Sequence, residues 1–299
     1  MTQQTRRPRL STQSEYRPML ELHRFAMNSN TLAGTLEEKL RAAKGAGFPA
    51  IVLSGGDLVG HPDGVDVAVE LVTGSGLRVS AFQMLHDFEG LSGHMLDYKI
   101  DIARSLFDMM RSVDAPLLIV ASTTSPYASG DPRKIADDLA MLGTLAAPPG
   151  IRIAYGALSW GRWINEYTTA WEAVKLADHA NVGLAIDSFH VLARGTSREA
   201  FDTIPGEKIF LVQLSDYLWD LDDLIETARH RRVFPSEGNH NVAVVDLVAR
   251  IERAGYRGDY SFDVVNDDYA HLPAAAVAAR GRKAATWLCA QVAPPSATH

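Results

Sequence analysis

The chain has 299 residues, of which 46% are hydrophobic and 22% charged, and a formal net charge of −7. That length suits one α/β barrel or two smaller domains, and the balance is ordinary for a globular protein in water. The acidic balance speaks against nucleic acid or an anionic membrane surface as partner and leaves a small-molecule substrate as the expected one; the single cysteine, Cys289, excludes an internal disulfide framework and a four-cysteine zinc site.

Residues 1–16 are polar, without periodicity and without the apolar core of a secretory signal. They read as a disordered arm ahead of a barrel domain over residues 17–292, with 293–299 as a tail. No run of about 18 apolar residues occurs, so no transmembrane helix is expected, and the expected location is cytoplasmic. Leu22 to Met27 reads as the first strand. Thr35 then caps a helix through Lys44, with Glu38 completing a capping box, and Gly47 ends it. Ala50 to Leu53 is the second strand. Helix Val65 to Thr73 leads to strand Leu77 to Phe82, and helix Met95 to Val113 to strand Pro116 to Ala121. Lys134 to Ala146 leads to Ile151 to Tyr155, and Thr169 to Leu176 to Val182 to Ile186. Strands Ile209 to Leu214 and Tyr260 to Val265 enclose helix Val242 to Ala254. A last helix, Ala274 to Val292, carries Cys289 as a buried thiol.

Eight strands alternating with helices or connectors long enough to hold one predict an α/β fold, a single (β/α)8 TIM barrel. An open doubly wound sheet is the competitor, but no G-x-G-x-x-G follows the first strand and no G-x-x-x-x-G-K-[ST] loop occurs. The longest interruption, Asp216 to Asn239, holds the acidic Asp220 to Asp223 and the basic Arg229 to Arg232, and reads as an ordered loop over the catalytic face.

In such a barrel the active site lies at the C-terminal ends of the strands. Three strands end in ligand-type side chains: Asp187 with His190, Gln213 with Asp216, and Asp263 with Asn266. Asp187 and His190 combine a hard oxygen donor with a borderline nitrogen donor, which suits Mn²⁺, Mg²⁺, Co²⁺ or Zn²⁺; the competing reading makes Asp187 a helix cap and His190 a core residue. Gln213 and Asp263 sit among apolar neighbours, where an amide needs a partner and a charge needs a counter-charge. His86, past the third strand, and Glu237, in Phe234-Pro-Ser-Glu-Gly238, are acid/base candidates. Arg231 and Arg232 are candidate clamps for an anionic substrate. Tyr155, Trp160 and Gln213 are candidate substrate contacts.

Several segments carry a resemblance to a known family: Ala154-Tyr-Gly-Ala-Leu-Ser-Trp-Gly-Arg162, Asp187-Ser-Phe-His190, Ile204 to Phe210, Gln213-Leu-Ser-Asp216, His230 to Gly238 and Ser261 to Asp267. As an ordered set over residues 20 to 290 they resemble the xylose-isomerase-like TIM-barrel superfamily of sugar isomerases and epimerases, nearest to the bacterial 3-dehydroshikimate dehydratases. The resemblance implies a divalent metal held by Glu, Asp, Gln or His, and Glu at strand ends. It also implies removal of a proton beside a carbonyl and a metal-stabilised enolate. Members are often dimers or tetramers, so a homo-oligomer is expected.

Asp187 and Gln213 match the second and third ligands. Gly156 stands where the first Glu belongs, and Asp263 is one methylene shorter than the fourth. Ser236 replaces a usual glycine in the arginine loop, and Ile51 to Gly56 lacks a usual Glu. Three readings follow: a metal retained on a rebuilt site, metal-free acid/base chemistry by His86, His190, Asp187, Asp263 and Glu237, or a non-catalytic ligand-binding or partner-subunit barrel. The favoured one is a lyase or isomerase for a small oxygenated cyclic substrate, with Gly156 leaving room for a bulkier or aromatic one.

Overall fold

The computed structural model describes residues 20–218 and 223–292. The expected arm at 1–16, the tail at 293–299 and Trp219 to Asp222 lie outside the described residues. Eight parallel strands close on themselves in sequence order, β1 pairing with both β2 and β8. They are β1 Phe25–Asn28, β2 Ala50–Ser54, β3 Arg78–His86, β4 Leu117–Ala121, β5 Arg152–Gly156, β6 Val182–Asp187, β7 Ile209–Leu214 and β8 Tyr260–Phe262. The helices that follow them are α1 Leu36–Gly45, α2 Gly55–Val59, α3 Val65–Gly74, α4 His94–Ser112, α5 Pro132–Ala146 and α6 Tyr167–Ala177. Then come α7 Ser188–Arg194, α8 Leu224–His230, α9 Asn241–Arg253, α10 Asp267–Ala270 and α11 Ala274–Val292.

Most long elements fall where periodicity places them, but β3 continues four residues beyond the expected Phe82, so that His86 ends the strand instead of following it. The capping box at Thr35 and Glu38 is present in full, and Pro132 at the first turn of α5, behind the Asp131 cap, fixes that start. The short helices α2, α7, α8 and α10 carry too few residues for periodicity to register. Strand β1 begins three residues later than expected, because Leu22–Arg24 forms a 3-10 turn. Strand β8 is shorter than expected, since Asp263 to Val265 leaves the ladder to line the barrel mouth.

Alternation along each strand divides the molecule into two packing regions. Inside the barrel, Ala26, Ala50, Ala81, Ala154 and Ala185 form a cluster with Val52, Ile119 and Leu211. Small side chains there leave space at the C-terminal end for longer polar ones. Between strands and helices lies the main core, with Phe25, Phe82, Tyr155, Phe234 and Phe262 fully enclosed. Cys289 sits half-buried in α11, its thiol pushed up to about 11 by burial.

Arg24 secures the opposite end. Its guanidinium donates to Glu252 Oε1 at 2.7 Å and to the carbonyls of Tyr256 and Gly258. A buried charge persists only when paired in this way.

The return from β7 is held by backbone as well as side chains. Asp216 and Val233 pair as an antiparallel bridge, Arg231 pairs with Asn266, and the buried Asp216 carboxylate accepts from the His240 amide and ring. Ser236, where the resemblance expects glycine, has φ +79°, a left-handed conformation in which a Cβ costs roughly 1–2 kcal/mol. Ser236→Gly is therefore expected to raise the unfolding free energy by about 1 kcal/mol. A urea midpoint that does not rise would show that the loop carries no such strain.

Candidate active site

A cavity of about 670 Å³ opens at the C-terminal ends of the strands, lined by residues from β3 to β7 and the loop after β8. Across its floor runs a chain of polar contacts, hydrogen-bonded except between His190 and Asp187. Ser159, after β5, donates from its amide to His190 Nδ1 at 3.2 Å, and its hydroxyl lies 2.7 Å from the same nitrogen. His190 Nε2 faces Asp187 Oδ2 at 3.6 Å. Asp187 Oδ2 accepts from Arg232 Nη1 at 2.8 Å, and the same Nη1 reaches Asp263 Oδ2 at 3.3 Å. Asp263 Oδ1 accepts from Asn28 Nδ2, which also bonds Gln83.

Local structure explains these positions. Asp187 is the last residue of β6 and also the N-cap of α7, accepting from the Phe189 amide through Oδ1 while Oδ2 turns inward. Cap and site residue, treated as alternatives in sequence, are thus one residue using two oxygens. His190 lies on α7 rather than on a loop. Arg232 is held from three sides: Nε donates to Ala228 O, its own amide to Val265 O, and its carbonyl accepts from Asn266 Nδ2. The Phe189 ring lies 4.5 Å beneath its guanidinium, which adds a cation–π attraction.

The two carboxylates beside Arg232 differ in proton affinity. Burial pushes Asp187 up, but Arg232, His190 and the Phe189 amide together hold it below the usual carboxylate range. Asp263 is raised to about 6: burial drives it up, Arg232 opposes, and the nearby Asp187 charge adds to the rise. Two like charges this close cannot ionise equally. His190 is lowered to about 4 by burial against the pull of Asp187. Since Nδ1 accepts from the Ser159 amide, the neutral ring carries its proton on Nε2, facing the cavity side.

The other expected residues divide. His86 ends β3 at the exposed rim, its ring held lower by burial and by Lys99 and Arg229 against Asp87. Trp160 lines the cavity with its ring 5.2 Å from His190. Gln213 lines the floor, and its Nε2 is buried with no protein partner.

Three expectations fail on position. Tyr155 does not line the cavity, because alternation on β5 turns Ala154 and Gly156 inward and Tyr155 outward to bond the buried Glu89 at 2.8 Å. Glu237 is no acid/base group over the mouth: Arg280 grips it from two nitrogens at 2.9 Å and Tyr269 donates to it at 2.7 Å. Arg231 is no substrate clamp, since it lies outside the cavity against Glu226 at 3.3 Å. Arg232, the other proposed clamp, is committed to carboxylates of the chain itself. Asn28, Gln83 and Ser159 went unnoticed in sequence, each being uncharged; Ser159 lies within the resemblance segment Ala154 to Arg162 but was given no role there.

These distances follow a shared architecture. Residues 40–290 match the family model described as "Xylose isomerase-like TIM barrel". The chain belongs to that family. It is 39% identical to a 3-dehydroshikimate dehydratase of Pseudomonas aeruginosa over 259 residues, 86% of this chain and 40% of that protein. A solved xylose isomerase-like TIM barrel/4-hydroxyphenylpyruvate dioxygenase fusion protein superposes with a TM-score of 0.85 at 35% identity, covering 90% of this chain and 43% of that one. The chain thus spans about two fifths of these relatives' length. A crystal structure of the IOLI protein with a zinc atom bound superposes at TM-score 0.79 over 90% of this chain and 99% of its own, at 18% identity, which shows the shared fold.

The donor set of a divalent site does not assemble in this family member. Among the described residues no three His, Cys, Asp or Glu side chains gather as a metal cluster. Gly156 contributes no donor, and Arg232 neutralises one of the two remaining carboxylate charges. One uncompensated negative charge falls short of what a hard divalent ion requires, since its affinity comes from ligand charge and number. The residues therefore do not fit the metal implied by the resemblance.

Two measurements follow. Protein purified without chelator is expected to carry under roughly a tenth of an equivalent of Mn, Mg, Co or Zn, and Gly156→Glu, returning a third carboxylate, to raise that content; one equivalent in the wild type that vanishes in Asp187→Ala would refute this. In ¹⁵N NMR, His190 is expected to remain the neutral Nε2–H tautomer from about pH 8 down to pH 5 and to titrate only near 4. Titration near 6.5 would remove the neutral donor from the site.

Proposed function

We propose that this barrel is a lyase or isomerase that removes a proton beside a carbonyl of a small oxygenated cyclic substrate, using its own side chains rather than a bound metal. The carrying observation is the guanidinium of Arg232 between two buried carboxylates of unequal proton affinity. Relatives named for dehydration of 3-dehydroshikimate and isomerisation of inosose support the reaction type.

Asp263, raised to about 6, is ionised at neutral pH yet basic enough to accept a proton from carbon, which is the condition for an efficient general base. As it takes the proton, the C–H electron pair moves into the carbonyl and leaves an enolate oxygen. Arg232, the Nε2–H of His190 and the unpartnered Nε2–H of Gln213 are the donors at the floor for that oxygen. Fixed donors in a buried site stabilise developing charge without reorganising. Protonation of the Asp263 carboxylate also removes one of the two competing negative charges from Arg232, freeing its guanidinium as the enolate forms. The intermediate then takes back at the adjacent carbon the proton held by Asp263, or expels a β-hydroxyl that receives that proton and leaves as water, with His86 at the rim exchanging protons with solvent.

The family's usual first carboxylate is absent at Gly156, so strict conversion of 3-dehydroshikimate to protocatechuate is not expected; its observation would return the barrel to its relatives' chemistry. The decisive experiment incubates the protein in D₂O with 3-dehydroshikimate, inosose and simpler cyclic hydroxyketones, and follows deuterium entry beside the carbonyl by NMR. Exchange is expected to persist in EDTA and to fall about 10²–10⁴-fold in Asp263→Asn. The base acts when deprotonated, so exchange should rise as pH passes upward through about 6 and then level. Absence of exchange on every ketone would leave a ligand-binding barrel. Exchange abolished by EDTA would restore a metal mechanism.

A further inference from the structure

The cavity has two unlike halves. Arg232, Asp187, Asp263, Gln83, Gln213 and His86 carry charge or hydrogen-bonding groups on the β3, β6, β7 and β8 side. Between β4 and β6, Ile119, Ala121, Gly156, Ala157, Leu158 and Ala185 make a patch without a polar side-chain atom, with Thr124 and Trp160 also lining the cavity on that side. Ile119, Ala121, Gly156 and Ala185 follow from interior alternation on β4, β5 and β6, and Ala157 and Leu158 continue the patch in the loop after β5.

Gly156 is the centre of that patch, and its backbone does not call for glycine. Its φ is not in the left-handed region, and its carbonyl makes an ordinary bond from the Ser122 amide at 2.9 Å. The nearest atoms a Cβ there would meet are the Cβ and carbonyl oxygen of Ala185, both at 3.3 Å, a tight contact that needs Ala185 to give by a few tenths of an ångström. Gly156 and the small Ala185 on the neighbouring strand together leave the space in front of them open.

We infer that Gly156 and Ala185 form an apolar notch that selects a ring with one bare edge, CH groups without hydroxyls, while the oxygenated edge lies against Arg232 and Asp263. This rests on the proposed function and narrows its substrate class. A ring hydroxylated all round would place hydroxyls against Ile119, Gly156 and Leu158, which offer no side-chain partner. An unpaired buried hydroxyl costs roughly tenfold in affinity, about 1.4 kcal/mol. A flat bare edge, by contrast, fills the notch and reaches the Trp160 ring at its side.

Two neutral six-membered rings test the notch without any turnover: catechol, with two adjacent hydroxyls and a bare edge, and myo-inositol, hydroxylated throughout. NMR titration in EDTA is expected to show catechol binding at least roughly tenfold more tightly, with shifts at the Gly156 and Ala185 amides. Gly156→Asn is expected to weaken catechol about fivefold or more while leaving myo-inositol unchanged or improved. Gly156→Ala, which adds only the Cβ, should give a smaller loss in the same direction, and both variants are checked by thermal melting. Should the Asn variant not fold, the wild-type shifts and the Ala variant decide alone. Equal affinities, no catechol binding at about 10 mM, or shifts away from Gly156 would overturn the notch. Deuterium exchange reports proton abstraction independently, so loss of the notch and loss of the proposed chemistry are separate results.

Discussion

The floor of this barrel depends on one guanidinium. Arg232 is almost fully buried, touches Asp187 at 2.8 Å and Asp263 at 3.3 Å, and lies over the Phe189 ring. Without it, two buried carboxylates would lie unpaired beside each other, and removing one partner from a buried ion network costs about 3–5 kcal/mol. The surrounding structure is arranged to keep it there. Asn266 binds its carbonyl, Val265 its amide and Ala228 its Nε, so elements after β7 and β8 are tied to the same residue. The clamp of Glu237 by Arg280 and Tyr269 secures the same loop from outside. Glu237 thus contributes to the site through position rather than chemistry.

Arg232 also divides the two carboxylates into different roles. Asp187 takes the shorter bond, the α7 cap and the neighbouring His190, and all three favour its charged form. Asp263 receives the longer contact and one amide from Asn28, too little to offset burial and the charge of Asp187. Environment rather than residue type therefore separates an aspartate held below the usual carboxylate range from one raised to about 6. His190 completes the asymmetry. Accepting at Nδ1 from Ser159 fixes its tautomer, and burial keeps it neutral, so it is a hydrogen-bond donor rather than a base.

The barrel itself was legible because its signals are long: helices of two or more turns and apolar strands repeat in strict alternation. The strand-end residues Asp187, Gln213 and Asp263 were legible for a related reason, since polar groups ending apolar strands are costly unless used. What stayed hidden depended on pairing across the barrel. Asn28 and Gln83 are remote from Asp263 in sequence and join it only because β1 closes on β8, while Ser159 reaches His190 across the neighbouring ends of β5 and β6. Parity on β5, which sends Tyr155 outward, needed the register of the strand to be known. Nothing in the run Arg229 to Arg232 distinguishes Arg232 from its neighbours; only the bridge of Arg231 to Asn266 sets which of the two faces inward.

Gly156 joins the electrostatic and steric sides of the site. A glutamate there would add a third negative charge opposite Arg232, enough to favour a divalent cation and to raise the proton affinity of Asp263 further. Its absence lowers the charge demand to what one guanidinium nearly satisfies. It also removes a polar group from beside the apolar Ile119, Ala121, Leu158 and Ala185. Loss of the ligand and gain of the apolar notch are consequently the same change seen through charge and through volume. In the proposed reaction, a substrate filling the notch would exclude water from the floor, and in drier surroundings the attraction between Arg232 and a developing enolate would strengthen. Binding at the bare edge and stabilisation at the oxygenated edge are coupled through that exclusion of water.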